Sequence, residues 1–333
     1  MRVDESRALG RTGVLLPALG LGTGSIAGLY QAVSETQAVA TVARALAVGL
    51  RYFDTAPYYG LGLAERRLGT ALHDVSTDSL VLSTKVGRLL RPLAPGEAPG
   101  DYGFAETPAV KPIWDFTAAG IRRSLEESLA RLGRDAVDVV LLHDPDAHER
   151  EIYQTGFPAL AELRASGVVK AIGVGMNQAA MPARLVRDLD LDLVLLAGRY
   201  TLLDQAGLDA LLPVCSRRGV GVVIGGVYNS GLLADPGPAA RYDYARAPRH
   251  LVARANALGE ICRSHHVPLK AAAIQFPFGH PAVVSVLTGA RSAGEVQQNA
   301  DMFEYPVPAG LWRALRESGL LPPGAPLPAD TPP

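Results

Sequence analysis

Residues 137–146, VDVVLLHDPD, run from a Val/Leu stretch interrupted only by Asp138 into a histidine and an Asp-Pro turn. A run that is apolar at nearly every position, rather than at alternate ones, suits a parallel strand covered on both faces. Two earlier stretches share the design: LRYFDTAPYYG (50–60) and SLVLSTKVG (79–87). Asp54, Tyr59, Lys85 and His143 stand at or just past the C-terminal ends of these runs. Where strands and helices alternate around a barrel, all strand C-termini share one rim, so these residues converge on one mouth. A tyrosine, a lysine, a carboxylate and an imidazole gathered there can move a proton to or from an oxygen. That combination points to an enzyme.

The rest of the chain repeats the alternation. LGRTGVLLPALGLGTG (9–24) is punctuated by glycine turns and reads as a hairpin feeding a first strand. Strands are expected at 50–54, 79–84, 137–142, 168–174, 192–197, 220–225 and 283–287. Between them, TAAGIRRSLEESLARLG (117–133) has a Thr117 cap, helical spacing of apolar residues and a closing Gly133. SETQAVATVARALAVG (34–49) and LDQAGLDALLPVCSRRG (203–219) behave alike. Eight strands, each followed by a helix, predict an α/β fold, a (β/α)8 TIM barrel with an N-terminal β-hairpin and long rim loops. A doubly wound Rossmann sheet is the rival. The barrel is expected as one domain over 1–320, with 321–333 a Pro-rich tail, disordered or draped over the surface. Residues 89–116 and 227–250 are too long for ordinary connections and read as lids or binding loops on the rim.

Composition excludes several classes. Hydrophobic residues are 48% of the 333 and charged ones 20%, which suits a soluble globular protein. The formal net charge is -1, from 32 basic and 33 acidic residues without a basic block, so neither nucleic acid nor membrane is an expected partner. Cys215 and Cys262 make no metal-ligand spacing, and two thiols in this length fit a reducing compartment. MRVDESRALGRTG lacks a secretory apolar region, and no apolar stretch approaches the ~18 residues of a membrane helix. The expected location is cytoplasmic, with no metal and an open oligomeric state.

Tyrosine, with an unperturbed pKa near ~10, is a poor base at neutral pH. A neighbouring ammonium lowers that value by stabilising the phenolate, and a carboxylate keeps the ammonium charged and oriented. Imidazole on the other side can donate a hydrogen bond to the reacting oxygen. Structural readings stand beside these. Lys85 and Asp54 could simply staple two strands, Tyr58 competes with Tyr59, and His143 could be a satisfied core histidine. The joint occurrence at consecutive strand ends favours catalysis.

FDTAPYYGLGLAE (53–65), STKVG (83–87) and LLHDPD (141–146) resemble signatures of the aldo-keto reductase family. LGRTG, GVGMN, TGARS and QQN add to the resemblance, which runs from about residue 8 to 318. It implies that Asp54, Tyr59, Lys85 and His143 are a catalytic tetrad, with Tyr59 chosen over Tyr58. It also implies a nicotinamide dinucleotide bound across the barrel mouth without a Rossmann domain, in keeping with the missing G-x-G-x-x-G in a strand–turn–helix setting. Gly22 and Thr23, in GLGTGSIAG, would border the cofactor together with Asp54, the glycines letting backbone approach a ligand. Asn177 in GVGMN would hold the carboxamide, although Met176 replaces the usual serine before it. Gly225 falls where the family commonly stacks an aromatic ring on nicotinamide, so the stacking residue is unassigned. Gly289 and Glu295 stand where NADP-preferring relatives place a lysine and an arginine. A carboxylate there would repel a 2′-phosphate and accept a ribose hydroxyl, which favours NAD. Arg291 keeps NADP open. Gln298 and Asn299 would face the adenine end.

Within the family, HDPD, AGRYTLLDQ and GGVYNSGLL look like the branch of L-fucose or D-threo-aldose 1-dehydrogenases, L-galactose dehydrogenases and pyridoxal 4-dehydrogenases. The implied reaction oxidises an aldose at C1 to the lactone, with NAD as hydride acceptor and Tyr59 as general acid/base. Pyridoxal oxidation and NADPH-dependent reduction of small aldehydes are the alternatives, and a redox-sensing binding protein a more distant one. Tyr30, Trp114, Tyr228 and Asn229 are candidate contacts for a small sugar or aldehyde.

Overall fold

Eight parallel strands close a barrel in chain order: β1 (Leu19–Gly22), β2 (Tyr52–Asp54), β3 (Val81–Val86), β4 (Val139–His143), β5 (Ala171–Met176), β6 (Leu193–Ala197), β7 (Gly221–Gly225) and β8 (Val283–Gly289). The computed structural model describes residues 1–328. β8 pairs back onto β1, from Val286↔Leu19 to Gly289↔Gly22, so the sheet has no edge and the doubly wound alternative falls.

Side chains fill the barrel interior. Tyr52, Leu141, Leu193, Val223 and Leu287 are buried there together, and Leu9, Val14 and Leu16 join them from below. Leu16 comes from the N-terminal hairpin (Ser6–Ala8 with Leu15–Pro17), Leu9 and Val14 from its turn, and Arg7 fastens the hairpin to β8 by donating to the Val283 carbonyl at 2.8 Å. The opposite, C-terminal end is left for chemistry.

The helices form where their caps demand. Ser34 Oγ accepts from Gln37 N ahead of Glu35–Ala47, and Thr117 Oγ1 accepts from Gly120 N ahead of Ala118–Leu132. Gly133, at φ 60°, ends the latter in the left-handed region. β2 and β5 begin two to three residues later than the apolar runs suggest. Gly49 (φ 97°) and Gly167 (φ 74°) turn the chain out of the preceding helices, and the next residues are still completing that turn.

The long insertions are ordered. Arg88–Pro92 pairs antiparallel with Val110–Trp114, setting Arg88 opposite Trp114. After β7, Arg241–Tyr242 and Ala245–Arg246 pair around Asp243 and Tyr244, both at positive φ as a tight primed turn requires. The insertions interlock with the loop after β1, where Leu29 bridges Phe104 and Tyr30 N donates to the Gly103 carbonyl at 3.1 Å. Near the C-terminus Leu321, Ala325 and Leu327 are buried, so this part of the Pro-rich tail is packed; 329–333 lie outside the described residues. Among the described residues no helix is long and apolar enough to cross a membrane, and no group of His, Cys, Asp and Glu could hold a metal. Both cysteines are free and buried.

Candidate active site

The barrel register brings Asp54, Lys85, Tyr59 and His143 together. Asp54 ends β2, Lys85 is the penultimate residue of β3, and His143 ends β4. Lys85 Nζ donates to Asp54 Oδ2 at 2.6 Å and to the Thr55 carbonyl at 3.0 Å, with both charged side chains buried. Asp54 Oδ1 accepts from Ser83 Oγ at 2.7 Å, while Thr23 Oγ1 donates to the Asp54 carbonyl at 3.0 Å. Tyr59, half-buried in the turn between β2 and Leu63–Ala71, lays its ring 4.5 Å from Lys85 Nζ. His143 meets that ring edge-on, 5.7 Å between centroids at 89°. Tyr58 also approaches His143, but its ring face carries the Arg88 guanidinium at 4.3 Å instead of Lys85.

The protonation states differ from the sequence expectation in one respect. Burial pushes the Tyr59 phenol well above its usual 10, Asp54 and Asp144 add to this, and Arg88 opposes them. The Lys85 ammonium gives hydrogens to Asp54 and Thr55 and lies 4.5 Å from the Tyr59 ring centre, so the adjacent carboxylate offsets part of its charge. His143 is pushed well below 6.5 by burial and then by Arg88 and Lys85, so it stands neutral at physiological pH; its Nδ1 is buried without a partner. A protonated phenol beside a neutral imidazole can give a proton to a carbonyl oxygen or, at higher pH, take one from an alcohol.

The aldo/keto reductase family pattern matches residues 18–319, from just before β1 to beyond the last helix. The chain belongs to this family. It is 44% identical to D-threo-aldose 1-dehydrogenase of a Pseudomonas species over 95% of this chain and 98% of that one. It is 42% identical to pyridoxal 4-dehydrogenase of Microbacterium luteolum, covering 96% and 99%. Among solved structures, an aldo-keto reductase of Bacillus halodurans in its holo form superposes with a TM-score of 0.76 at 25% identity, covering 94% of this chain and 96% of that one.

Aldo-keto reductases are oxidoreductases that use nicotinamide dinucleotides, and this rim can accept one. Gly22 stands in register between Asp54 and Gly289. A Cβ at Gly22 would meet nothing nearer than 3.9 Å and one at Gly24 nothing within 4 Å, so open backbone lines this part of the mouth. Asn177 lies half-buried just past β5. Gly225, ending β7, leaves little room for a ring, because a Cβ there would lie 3.3 Å from Leu195 Cδ2.

Four cofactor candidates are already engaged. Glu295 sits in the first turn of Ala293–Glu304: Ser292 Oγ caps the helix by accepting from Glu295 N at 3.2 Å, and Glu295 Oε2 accepts from Arg291 N at 2.8 Å. Its other oxygen pairs with the Arg291 guanidinium at 3.3 Å, so it is not the free carboxylate that the sequence suggested. Arg291 in turn donates to Gln31 at 3.1 Å and is tethered rather than free to swing. Gln298 accepts from Lys270 Nζ at 2.6 Å, and buried Asn299 donates to the Gly289 carbonyl at 3.4 Å.

Two substrate candidates are placed differently from expectation. Tyr228 is engaged on its own side of the rim: its hydroxyl donates to Asn299 at 3.3 Å and its ring carries Lys270 Nζ at 5.2 Å. Asn229 is buried, accepting from Thr201 Oγ1 at 2.7 Å and donating to the Gly198 carbonyl at 3.1 Å, so its amide fastens loops instead of facing the mouth. Tyr30 and Trp114 stay on the rim, Tyr30 beside Tyr244 (6.4 Å between rings) and Trp114 over Arg88 (4.1 Å). Arg88, Asp144, Tyr244 and Lys270 were not singled out from sequence. Asp144 lies inside the quoted HDPD, and Lys270 is the one charge in the LKAAAIQ helix, so signals for these two were present.

Proposed function

We propose that this enzyme oxidises an aldose at C1 to the lactone with NAD. The carrying observation is the buried Asp54–Lys85 pair set against the Tyr59 ring, with neutral His143 on its other side. The 44% identity to a D-threo-aldose 1-dehydrogenase supports the substrate class. Tyr59 takes the proton of the anomeric hydroxyl, neutral His143 donates a hydrogen bond to the same oxygen, and Asp54 holds Lys85 beneath the ring. The bound dinucleotide supplies hydride acceptance from C1. Asn177 and the open backbone at Gly22 and Gly24 would hold it, with Asn299 and Gln298 toward the adenine. Pyridoxal in its hemiacetal form is the second reading, favoured by the 42% identity to a pyridoxal 4-dehydrogenase.

The test follows nicotinamide absorbance with NAD and NADP in parallel against L-fucose, D-arabinose, L-galactose and pyridoxal. Reduction of NAD by an aldose is expected. Turnover confined to pyridoxal transfers the assignment, and NADPH oxidation by simple aldehydes alone overturns it.

The raised Tyr59 pKa fixes a pH dependence. Oxidation needs the phenol to release its proton, so its rate should climb from pH 7 to 9.5, toward a folded pKa that lies above 10. Reduction uses the protonated form and should stay level across that range. Initial rates in both directions decide this; an oxidation rate that peaks near neutrality removes Tyr59 as the base.

NAD preference rests on Glu295 tethering Arg291, which keeps that guanidinium from a 2′-phosphate at the adenosine end. Glu295→Gln keeps an oxygen for Arg291 N and releases the Arg291 guanidinium from its ion pair, so kcat/KM with NADP should rise relative to NAD. An unchanged ratio would place the ribose 2′ position elsewhere.

A further inference from the structure

Asp144, immediately after His143, adopts φ 40°, a left-handed conformation that is uncommon outside glycine. Its N–H donates to the Gly175 carbonyl at 2.9 Å, fixing the backbone there. This conformation sets the carboxylate over the mouth: Oδ2 lies 3.5 Å from His143 Nε2 and accepts from Arg88 Nη2 at 2.7 Å. Arg88 is itself clamped between the rings of Tyr58 (4.3 Å) and Trp114 (4.1 Å) and is nearly buried. One carboxylate oxygen is therefore held in place. The other, Oδ1, accepts no hydrogen bond among the described residues, and the side chain is 24% exposed. A fixed carboxylate with one open oxygen, beside the imidazole that meets the reacting oxygen, is an acceptor for a second hydroxyl.

We propose that Asp144, positioned by Arg88, accepts the hydrogen bond of the hydroxyl one carbon from the reacting centre. This makes the enzyme selective for 2-hydroxy aldehydes in cyclic form over simple aldehydes and pyridoxal. The proposal rests on the aldose reading above and names the part of the substrate that the site reads. Arg88 and the rings of Tyr58 and Trp114 keep the carboxylate from turning away, so little ordering is needed when substrate arrives.

D-Arabinose and 2-deoxy-D-ribose differ only in the C2 hydroxyl, which makes them a direct probe. The wild-type enzyme should favour D-arabinose roughly 10- to 100-fold in kcat/KM, as expected for a hydrogen bond to a charged group. Asp144→Gly suits the positive φ and removes the acceptor, so its preference should fall toward unity. Asp144→Asn also tolerates that backbone and keeps a neutral acceptor, so it should lie between. A purely structural role would slow both sugars equally and leave the ratio at its wild-type value, which overturns the proposal. A wild-type enzyme that oxidises neither sugar overturns the aldose reading first, and this proposal with it.

Discussion

Tyr59→Phe is expected to lose roughly 10²- to 10⁴-fold in kcat, the loss typical of a missing general acid or base. The substitution is close to a single-atom test. The phenyl ring keeps its place against Lys85 and His143, both of which pack on it. The Tyr59 hydroxyl makes no hydrogen bond to the described residues, so its removal leaves no protein group unpartnered. Thermal stability and dinucleotide binding should therefore stay at wild-type values while turnover collapses. Binding is read by titration of intrinsic fluorescence, and the chemical step by single-turnover absorbance. Tyr58→Phe is the control: its ring carries Arg88, and loss of its hydroxyl should leave the chemical step within an order of magnitude. A Tyr59→Phe enzyme that turns over as fast as wild type would show that another group moves the proton.

The barrel was legible because its signals are local and repeat. Val/Leu runs such as VVLLH set parallel strands, and capped segments such as Thr117 to Gly133 set helices. Closure then follows from the register, which also explains why the meeting of Asp54, Lys85 and His143 could be anticipated. Residues at strand ends are placed by backbone pairing, and pairing leaves little freedom. Residues on loops and helices are placed by contacts that no local pattern encodes. Glu295 was read for its charge, but its position three residues after Ser292 put it in the first turn of the helix, where it holds Arg291. Asn229, at φ 47°, was read as a sugar contact, yet Thr201 and Gly198 hold its amide. The 89–116 insertion, rich in Pro and Gly, gave no strand signal. Its pairing is stabilised by Arg88, the Trp114 ring and the loop after β1, which come together only once the barrel exists. Asp144 was hidden for the same reason, since its left-handed backbone and its Arg88 partner are properties of the assembled rim.

Lys85→Met should destabilise the fold and abolish turnover, and the two losses can be separated. The Lys85 and Asp54 side chains are 1% and 3% exposed, so removing the ammonium leaves a carboxylate without its cation in a site that excludes water. Breaking such a buried pair from one side costs about 3–5 kcal/mol. For a chain of this length that corresponds to a fall in Tm of roughly 4–7 °C. Ser83 Oγ still donates to Asp54 in the variant, which softens the cost without replacing the charge. Adding Asp54→Asn removes the stranded carboxylate, so the double variant should be more stable than Lys85→Met alone, a positive coupling of the kind seen between residues in contact. Activity should not follow stability back, because the cation beside the Tyr59 ring is still missing. Denaturation curves and kcat on the wild type, both single variants and the double variant give the two quantities independently. If Lys85→Met keeps full turnover, the pair is only a strand staple. If the double variant recovers activity along with stability, Lys85 acts through the fold and not at the reacting oxygen.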